Sequence, residues 1–144
     1  MTINEILRDK GRDVITIEPE RTVLEAMRLL VHHNIGSLVV VSDGQIHGII
    51  TERDGLRLAA NDPALLAIKR VAEVMTATLI TAVATDALHH VMDLMTRHRV
   101  RHVPIMEEHR LAGILSIGDL VNACRASAEA ENDQLREYIR GTTA

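Results

Sequence analysis

The sequence predicts an α/β (α+β) fold in which two β-α-β-β-α repeats pack as a pseudo-twofold pair, followed by a C-terminal helix. Three observations predict this fold. The second half of the sequence aligns with the first without a gap, from Ile80 on Ile15 to Asp119 on Asp54. Within each copy, short apolar runs alternate with segments of helical periodicity. The chain of 144 residues is 47% hydrophobic and 25% charged, which is enough apolar material for one shared core.

Identical residues at matched positions carry the repeat. The identical pairs in this alignment are Ile15-Thr16 with Ile80-Thr81, Met27 with Met92, His33 with His98, Gly48-Ile49 with Gly113-Ile114, and Asp54 with Asp119. Upstream, Ile3–Leu7 resembles Val71–Met75, with the first copy slightly longer there. We therefore assign residues 1–61 to the first repeat, 62–124 to the second and 125–144 to a helical tail. The Asn61-Asp62-Pro63 segment is the boundary signal between the repeats.

Each repeat is predicted to open with a short extended run and an amphipathic helix. Val14–Ile17 is extended and ends before Pro19. Thr22 and Glu25 match a capping box at a helix start. One apolar face of this helix is formed by Val23, Ala26, Met27, Leu30 and Val31, and its counterpart in the second repeat is formed by Leu88, Val91, Met92 and Met95.

A hairpin and a second helix complete each repeat. Leu38–Val41 and Ile46–Ile50 flank Asp43-Gly44, a pair typical of hairpin turns. The second copy has Val103–Met106 and Leu111–Leu115 around Glu107–Arg110, where the absence of glycine weakens the turn signal. A helix is expected after Asp54 and again after Asp119. The tail, Arg125–Arg140, is predicted to be a helix ended by Gly141, with an apolar patch of Leu135, Tyr138 and Ile139 that is either solvated or a dimer contact.

Composition excludes several classes of protein. The net charge is −4, and Tyr138 is the only aromatic residue of the Phe, Trp and Tyr types, so we expect no nucleic-acid binding face. Cys124 is the only cysteine, which rules out a disulfide within the chain. No apolar run is long enough to span a membrane, and the N-terminus lacks the pattern of a signal peptide. We therefore expect a cytoplasmic protein with no membrane attachment.

Two seven-residue motifs carry a family resemblance. Gly48–Asp54 and Gly113–Asp119 both fit the pattern Gly-apolar-x-Thr/Ser-x-x-Asp, and Asn34–Val40 and Arg99–Ile105 precede the hairpins in register. Over residues 3 to 124 the chain resembles a tandem pair of CBS domains (cystathionine β-synthase domains), also called a Bateman module. The resemblance implies a non-catalytic regulatory module whose cleft binds AMP, ADP, ATP or S-adenosylmethionine, with no required cofactor. It also implies a homodimer formed through the long helices, and Leu24, Leu29 and Leu94 lie outside the inward stripe of those helices.

The chemistry of the motifs agrees with this implication. A carboxylate such as Asp54 or Asp119 can accept hydrogen bonds from both hydroxyls of a ribose, although capping a helix is the other use of an Asp at this position. Thr51 and Ser116 add a hydroxyl donor near a helix start, where phosphate is favoured. Glycine inside a strand, as at positions 48 and 113, indicates close approach of a ligand or of another backbone segment.

The resemblance further implies two clefts, each joining one repeat's motif to the other repeat's opening strand. The first would contain Thr51, Arg53, Asp54, Thr81, Val100, Arg101 and His102, and the second would contain Ser116, Asp119, Thr16, Ile35, Gly36 and Ser37. Because Gly118 and Gly36 stand where the first cleft has Arg53 and Arg101, we expect the first to bind the phosphate-bearing nucleotide. We expect the second to be weaker, empty or filled by a less charged ligand. The alternative is that both arginines form silent surface ion pairs.

Catalysis and metal binding are not predicted. The motif aspartates have no neighbouring nucleophile, glycine-rich phosphate loop or metal triad. His98 and His102 are four residues apart, but the pattern changes from helix to strand between them, so they do not form a zinc site. The sequence therefore predicts an adenine-nucleotide-sensing module that acts on an unidentified partner protein. An enzyme or a nucleic-acid-binding module that uses the same cleft is the alternative.

Overall fold

The computed structural model describes residues 1–143, with side chains except at residues 130, 131, 133–135 and 137–144. The elements in order are α1 (Ile3–Lys10), β1 (Thr16–Ile17), α2 (Val23–His33), β2 (Ser37–Ser42), β3 (Gln45–Thr51), α3 (Glu52–Asn61), a 3-10 helix (Pro63–Ala67), α4 (Val71–Val74), β4 (Ala82–Val83), α5 (Leu88–His98), β5 (His102–Glu107), β6 (Arg110–Ser116) and α6 (Ile117–Thr143). The predicted order of strand, helix, strand, strand and helix occurs twice, which confirms the fold class.

The strands form two small sheets with the same topology. Their orders are β1-β2-β3 and β4-β5-β6, and in each sheet the first pair is parallel and the second antiparallel. Val39 pairs with Ile49, and the matched residues of the second repeat, Pro104 and Ile114, pair in the same way. A register shift follows Val40 in one hairpin and its matched residue Ile105 in the other. The sequence repeat is therefore preserved in the details of strand pairing.

The two cores exchange their leading helices. Ile3, Ile6 and Leu7 of α1 belong to the core of the second sheet, whereas Val71 of α4 belongs to the core of the first. The strand glycines make room for these segments, since a Cβ at position 113 would lie 2.8 Å from the Leu7 side chain. A Cβ at position 48 would lie 2.6 Å from the Thr76 carbonyl oxygen. The sequence left open whether a ligand or another segment of the chain approaches these glycines. In the structure another segment of the chain approaches each of them.

The helix α2 differs from its prediction in two respects, its N-terminal cap and the extent of its buried face. The Thr22 hydroxyl accepts from the Glu25 backbone N–H at 3.2 Å, but the Glu25 carboxylate binds Arg21 at 3.1 Å, so only half of the predicted capping box forms. Val31, predicted on the buried face, is 82% exposed. It follows Leu30 by about 100° around the helix, which carries it past the edge of the buried stripe.

Two of the three leucines assigned to a dimer surface contribute to the protein's own core. Leu29 packs against the core of the first sheet, and Leu94 packs against that of the second. Leu24 is half-buried. The apolar content of these helices therefore gives less support to a dimer than the sequence pattern suggested.

Both hairpins turn through two residues with positive φ. Asp43 and Gly44 have φ of 54° and 74°, and Glu108 and His109 have φ of 51° and 63°. This is the backbone of a type I′ turn, which matches the twist of the flanking strands. The second hairpin therefore adopts the tight turn of the first although its sequence lacks glycine.

The C-terminal segment is one continuous helix, not a second helix after a break. The helix α6 runs from Ile117 to Thr143, because neither glycine nor proline occurs between Asp119 and Arg140. It also passes Gly141, the predicted stop, because a single glycine costs a helix only about 1 kcal/mol. The patch of Leu135, Tyr138 and Ile139 lies outside the described side chains. Among the described residues, no helix is long and apolar enough to cross a membrane.

Candidate functional site

A cavity of about 580 Å³ lies between the two repeats. Its lining comes from β3 and α3 of the first repeat, from the segment before β4, and from the start of β5. The lining residues are Ile49, Thr51, Glu52, Arg53, Asp54, Leu56, Arg57, Thr76, Thr78, Leu79, Ile80, Arg99, Val100, Arg101, His102 and Pro104. The volume is in the range of small-molecule sites in proteins.

Asp54 caps a helix and keeps one oxygen free. Its Oδ2 accepts from the Thr51 backbone N–H at 2.8 Å and from the Thr51 hydroxyl at 3.2 Å. In return the Thr51 hydroxyl accepts from the Asp54 backbone N–H at 3.4 Å, which completes a capping box at the start of α3. Oδ1 accepts no hydrogen bond from any described residue. Asp54 therefore caps α3, which was one of the two uses expected for it from the sequence. Its Oδ1 remains available as an acceptor for a ligand.

Four arginines border the cavity without a carboxylate partner among the described side chains. Arg53 and Arg57 lie one turn apart on α3, and Arg99 and Arg101 precede β5. None of them forms an ion pair with a residue whose side chain the structure describes. The alternative that Arg53 and Arg101 are surface ion pairs has no support in these contacts. Their guanidinium groups give the cavity mouth a positive potential that favours an anion.

His102 lies at the centre of the repeat pair. A Cβ at Gly36 would lie 3.2 Å from its Nε2, so the absence of a side chain there admits the imidazole. Burial lowers the pKa of His102 below 6.5, which outweighs the opposing effects of Glu52 and Asp119. At neutral pH the ring is therefore neutral and offers a hydrogen bond rather than a charge.

Aliphatic side chains form the remaining walls. Six apolar residues line the cavity, namely Ile49, Leu56, Leu79, Ile80, Val100 and Pro104. Leu56 is 70% exposed on α3 and so presents an apolar side chain at the cavity opening. A planar ring can pack between such side chains without aromatic stacking.

The structure brings together six of the seven residues expected in the first cleft. Thr81 is the exception, since it is exposed and does not line the cavity. Ile80 lines it instead, because neighbouring side chains on extended backbone point in opposite directions. Sequence reasoning missed Arg57 and Arg99. The spacing of Arg57, four residues after Arg53, was the signal that could have found it.

The second cleft repeats the cap of the first. The Oδ2 of Asp119 accepts from the Ser116 backbone N–H at 2.8 Å and from its hydroxyl at 3.0 Å. Lys10 Nζ lies 2.7 Å from the same oxygen. Burial alone would raise the pKa of Asp119, but the Lys10 and Ser116 bonds hold it below its usual value.

None of the six residues expected in the second cleft lines the 580 Å³ cavity. Ser37 is buried, Thr16 and Ile35 are exposed, and Gly36 contacts His102. Among the described residues, no group of three His, Cys, Asp or Glu side chains is placed to hold a metal ion.

The repeat topology and the two motifs define a tandem pair of small α/β repeats with a cavity between them, and the family can now be given. The family model for the CBS domain matches residues 3–61 and 71–126. The chain therefore belongs to the CBS domain family and is a CBS domain pair. Both matched segments include the leading helix, α1 or α4, that packs on the opposite sheet.

Relatives and solved structures agree with this assignment. The mitochondrial CBS domain-containing protein CBSX3 of Arabidopsis thaliana is 34% identical over 97% of this chain and 72% of its own. A CBS-domain containing protein from Agrobacterium tumefaciens is 40% identical, with a TM-score of 0.82 over 85% of this chain and 98% of its own. The CBS domain pair of protein MJ0100 was solved in complex with 5′-methylthioadenosine and S-adenosyl-L-methionine. It is 27% identical, with a TM-score of 0.77 over 88% of this chain and 98% of its own.

Proposed function

We propose that this protein is a non-catalytic regulatory module that binds an adenine nucleotide in the 580 Å³ cavity and acts on a partner protein. The observation that carries the proposal is the convergence of three features on one cavity: four arginines and an aspartate oxygen that have no partner among the described side chains, and an aliphatic wall. The adenosine compounds bound by the pair of protein MJ0100 support the ligand class.

Each part of a nucleotide has a complementary surface in the cavity. The base packs between aliphatic walls such as those of Ile80 and Val100. The ribose hydroxyls donate to Oδ1 of Asp54 in charge-assisted hydrogen bonds. The phosphates bind the arginines, of which Arg53 and Arg101 were predicted from sequence. Because these arginines repel a sulfonium cation, the cavity favours AMP, ADP or ATP over S-adenosylmethionine.

The second cleft lacks all four of these arginines. In the alignment of the two repeats, the positions of Arg53, Arg57, Arg99 and Arg101 correspond to Gly118, Asn122, Asn34 and Gly36. All four guanidinium groups are therefore lost at once. We propose that the phosphate-bearing ligand binds the first cleft.

Calorimetry with AMP, ADP and ATP tests this assignment with matched variants. Asp54→Asn keeps an oxygen for the Thr51 cap but removes the charge, and Arg101→Ala removes one phosphate donor. We expect each to weaken ATP binding about tenfold, because a charge-assisted bond contributes about 1.5–3 kcal/mol. Asp119→Asn is the control in the second cleft. The assignment is wrong if Asp119→Asn abolishes binding while the other two variants leave it unchanged.

If the same cleft catalysed a reaction of ATP, the protein would consume ATP during incubation, whereas a binding module would leave it intact. No cysteine or serine lines the cavity, and the Thr51 hydroxyl is held in the cap of α3 by Asp54. No metal-binding group of side chains occurs among the described residues. We therefore expect ATP to remain intact after prolonged incubation with the protein. Stoichiometric turnover that a cavity variant abolishes would support an enzyme.

A homodimer is part of the proposal. The resemblance implies association through the long helices, and Val31 on α2 exposes an apolar side chain there. A protomer has a mass of 15.9 kDa. Light scattering at micromolar concentration should give twice this mass, and a mass near that of one protomer would contradict the dimer.

A further inference from the structure

The two clefts can be compared residue by residue because the repeat holds in space. Leu7 contacts the position of Gly113 and Met75 contacts that of Gly48, so the leading segments correspond with Leu7 matched to Met75. In this alignment Lys10 corresponds to Thr78, which lines the cavity of the first cleft. The second cleft therefore has a cation where the first has a small hydroxyl.

Lys10 makes two polar contacts in the second cleft. Its Nζ donates to Oδ2 of Asp119 at 2.7 Å and to the backbone carbonyl of Ile114 at 2.6 Å. In the first repeat the equivalent carbonyl, that of Ile49, accepts from the Thr76 backbone N–H at 2.9 Å. The lysine ammonium thus takes the place that a backbone amide has in the other repeat.

The difference arises from the lengths of the two leading helices. The helix α1 has 8 residues and ends at Lys10, whereas α4 has 4 residues. After α4 the chain is extended and pairs with β3 through Thr76 and Ile49. Because α1 remains helical for an additional turn, no backbone amide of this segment reaches the Ile114 carbonyl, and the Lys10 side chain binds it instead.

We propose that Lys10 closes the second cleft by neutralising Asp119, so that each chain binds one adenine nucleotide, in the first cleft only. This inference rests on the proposed function. Lys10 and Ser116 both bind Oδ2 of Asp119, so a ribose that approaches Oδ1 meets a carboxylate whose charge the ammonium already offsets. Its hydrogen bonds there are weaker than those to Asp54, whose carboxylate holds no ammonium among the described side chains. With one cleft open, binding within a chain is hyperbolic rather than cooperative between clefts.

A reciprocal exchange of the two matched residues tests this. The first cleft is saturated with AMP, and adenosine is then titrated by calorimetry, because adenosine does not need the missing arginines. Wild-type protein should give no heat of adenosine binding. Lys10→Thr should bind one equivalent of adenosine, and Lys10→Thr combined with Asp119→Asn should lose it. Thr78→Lys, titrated with AMP alone, should bind about tenfold more weakly or not at all.

The outcomes separate this inference from the function on which it rests. If wild-type protein binds adenosine after saturation with AMP, or Lys10→Thr gains no site, nucleotide binding stands and the role of Lys10 is overturned. If neither adenosine nor AMP binds any variant, the proposed function fails and the inference fails with it. Thermal unfolding of each variant is the control, and we expect Lys10→Thr to unfold near the wild-type temperature because the ion pair is partly exposed.

Discussion

At the scale of single residues, the cavity places one arginine in an unfavourable backbone conformation. Arg99 ends α5 with φ of 54°, a left-handed conformation that side chains other than Asn, Asp and Gly rarely adopt. The matched residue that ends α2 is Asn34, with φ of 53°. Arginine at this position costs stability relative to the better-suited asparagine of the other repeat, and we propose that its guanidinium binds the ligand.

We therefore expect Arg99→Asn to stabilise the fold while weakening nucleotide binding. The free energy of unfolding should rise by about 1 kcal/mol, because asparagine tolerates the left-handed conformation. The affinity for ATP should fall about tenfold through the loss of a charge-assisted donor. Chemical denaturation and calorimetry measure the two effects. A variant that loses stability and keeps its affinity would contradict this reading of Arg99.

His102 predicts a specific dependence of stability on pH. Burial lowers the pKa of its folded state below 6.5, with Lys10 and Arg101 acting in the same direction and Glu52 and Asp119 opposing. The unfolded state therefore binds more protons than the folded state below pH 6.5, and the stability that this group contributes is present above that pH. It is lost as the pH falls from 6.5 towards the folded pKa.

The comparison with His102→Gln isolates this contribution. Wild-type protein should lose more stability than the variant between about pH 6.5 and pH 5, and the difference should be constant above about pH 7. Denaturation curves at each pH provide the measurement, and the seven other histidines are common to both proteins. Parallel pH profiles would show that His102 titrates normally.

At the scale of secondary-structure elements, the second hairpin carries a correctable strain. Glu108 and His109 have φ of 51° and 63°, where the first hairpin has Asp43 and Gly44. Replacing Glu108-His109 with Asn-Gly should raise the free energy of unfolding by about 1 kcal/mol, because these residues favour a type I′ turn. The matched control replaces Asp43-Gly44 with Glu-His and should destabilise by a similar amount. If the Asn-Gly variant is no more stable, the second turn is not under strain.

Most elements could be predicted from sequence because each had a local signal. The Asp43-Gly44 turn and the apolar runs depend on residues close in the chain, and the repeat is visible because the same local pattern occurs twice. Val31 was misassigned because the width of a buried stripe depends on what packs against the helix. Gly141 was misassigned because one glycine costs too little to end a helix. Within the site, the sequence motifs were sufficient to predict Asp54 and Arg101. The role of Lys10 was not, because its partner Asp119 is 109 residues away.

At the scale of the whole molecule, the exchange of leading helices ties the two repeats into one structure. Leu7 is fully buried in the core of the second sheet, although it belongs to the first copy in sequence. Val71, from the second copy, is fully buried in the core of the first sheet. Neither hydrophobic core is complete without a segment from the other half. The chain should therefore unfold as a single cooperative unit.

Core truncations in the leading helices test this exchange. Leu7→Ala should cost about 2–5 kcal/mol and increase amide exchange first in β5 and β6, on which α1 packs. Val71→Ala should instead increase exchange first in β2 and β3. Val31→Ala is the control, since the exposed side chain should change little. If Leu7→Ala loosens only β2 and β3, each sequence half is a self-contained folding unit and the exchanged packing is wrong.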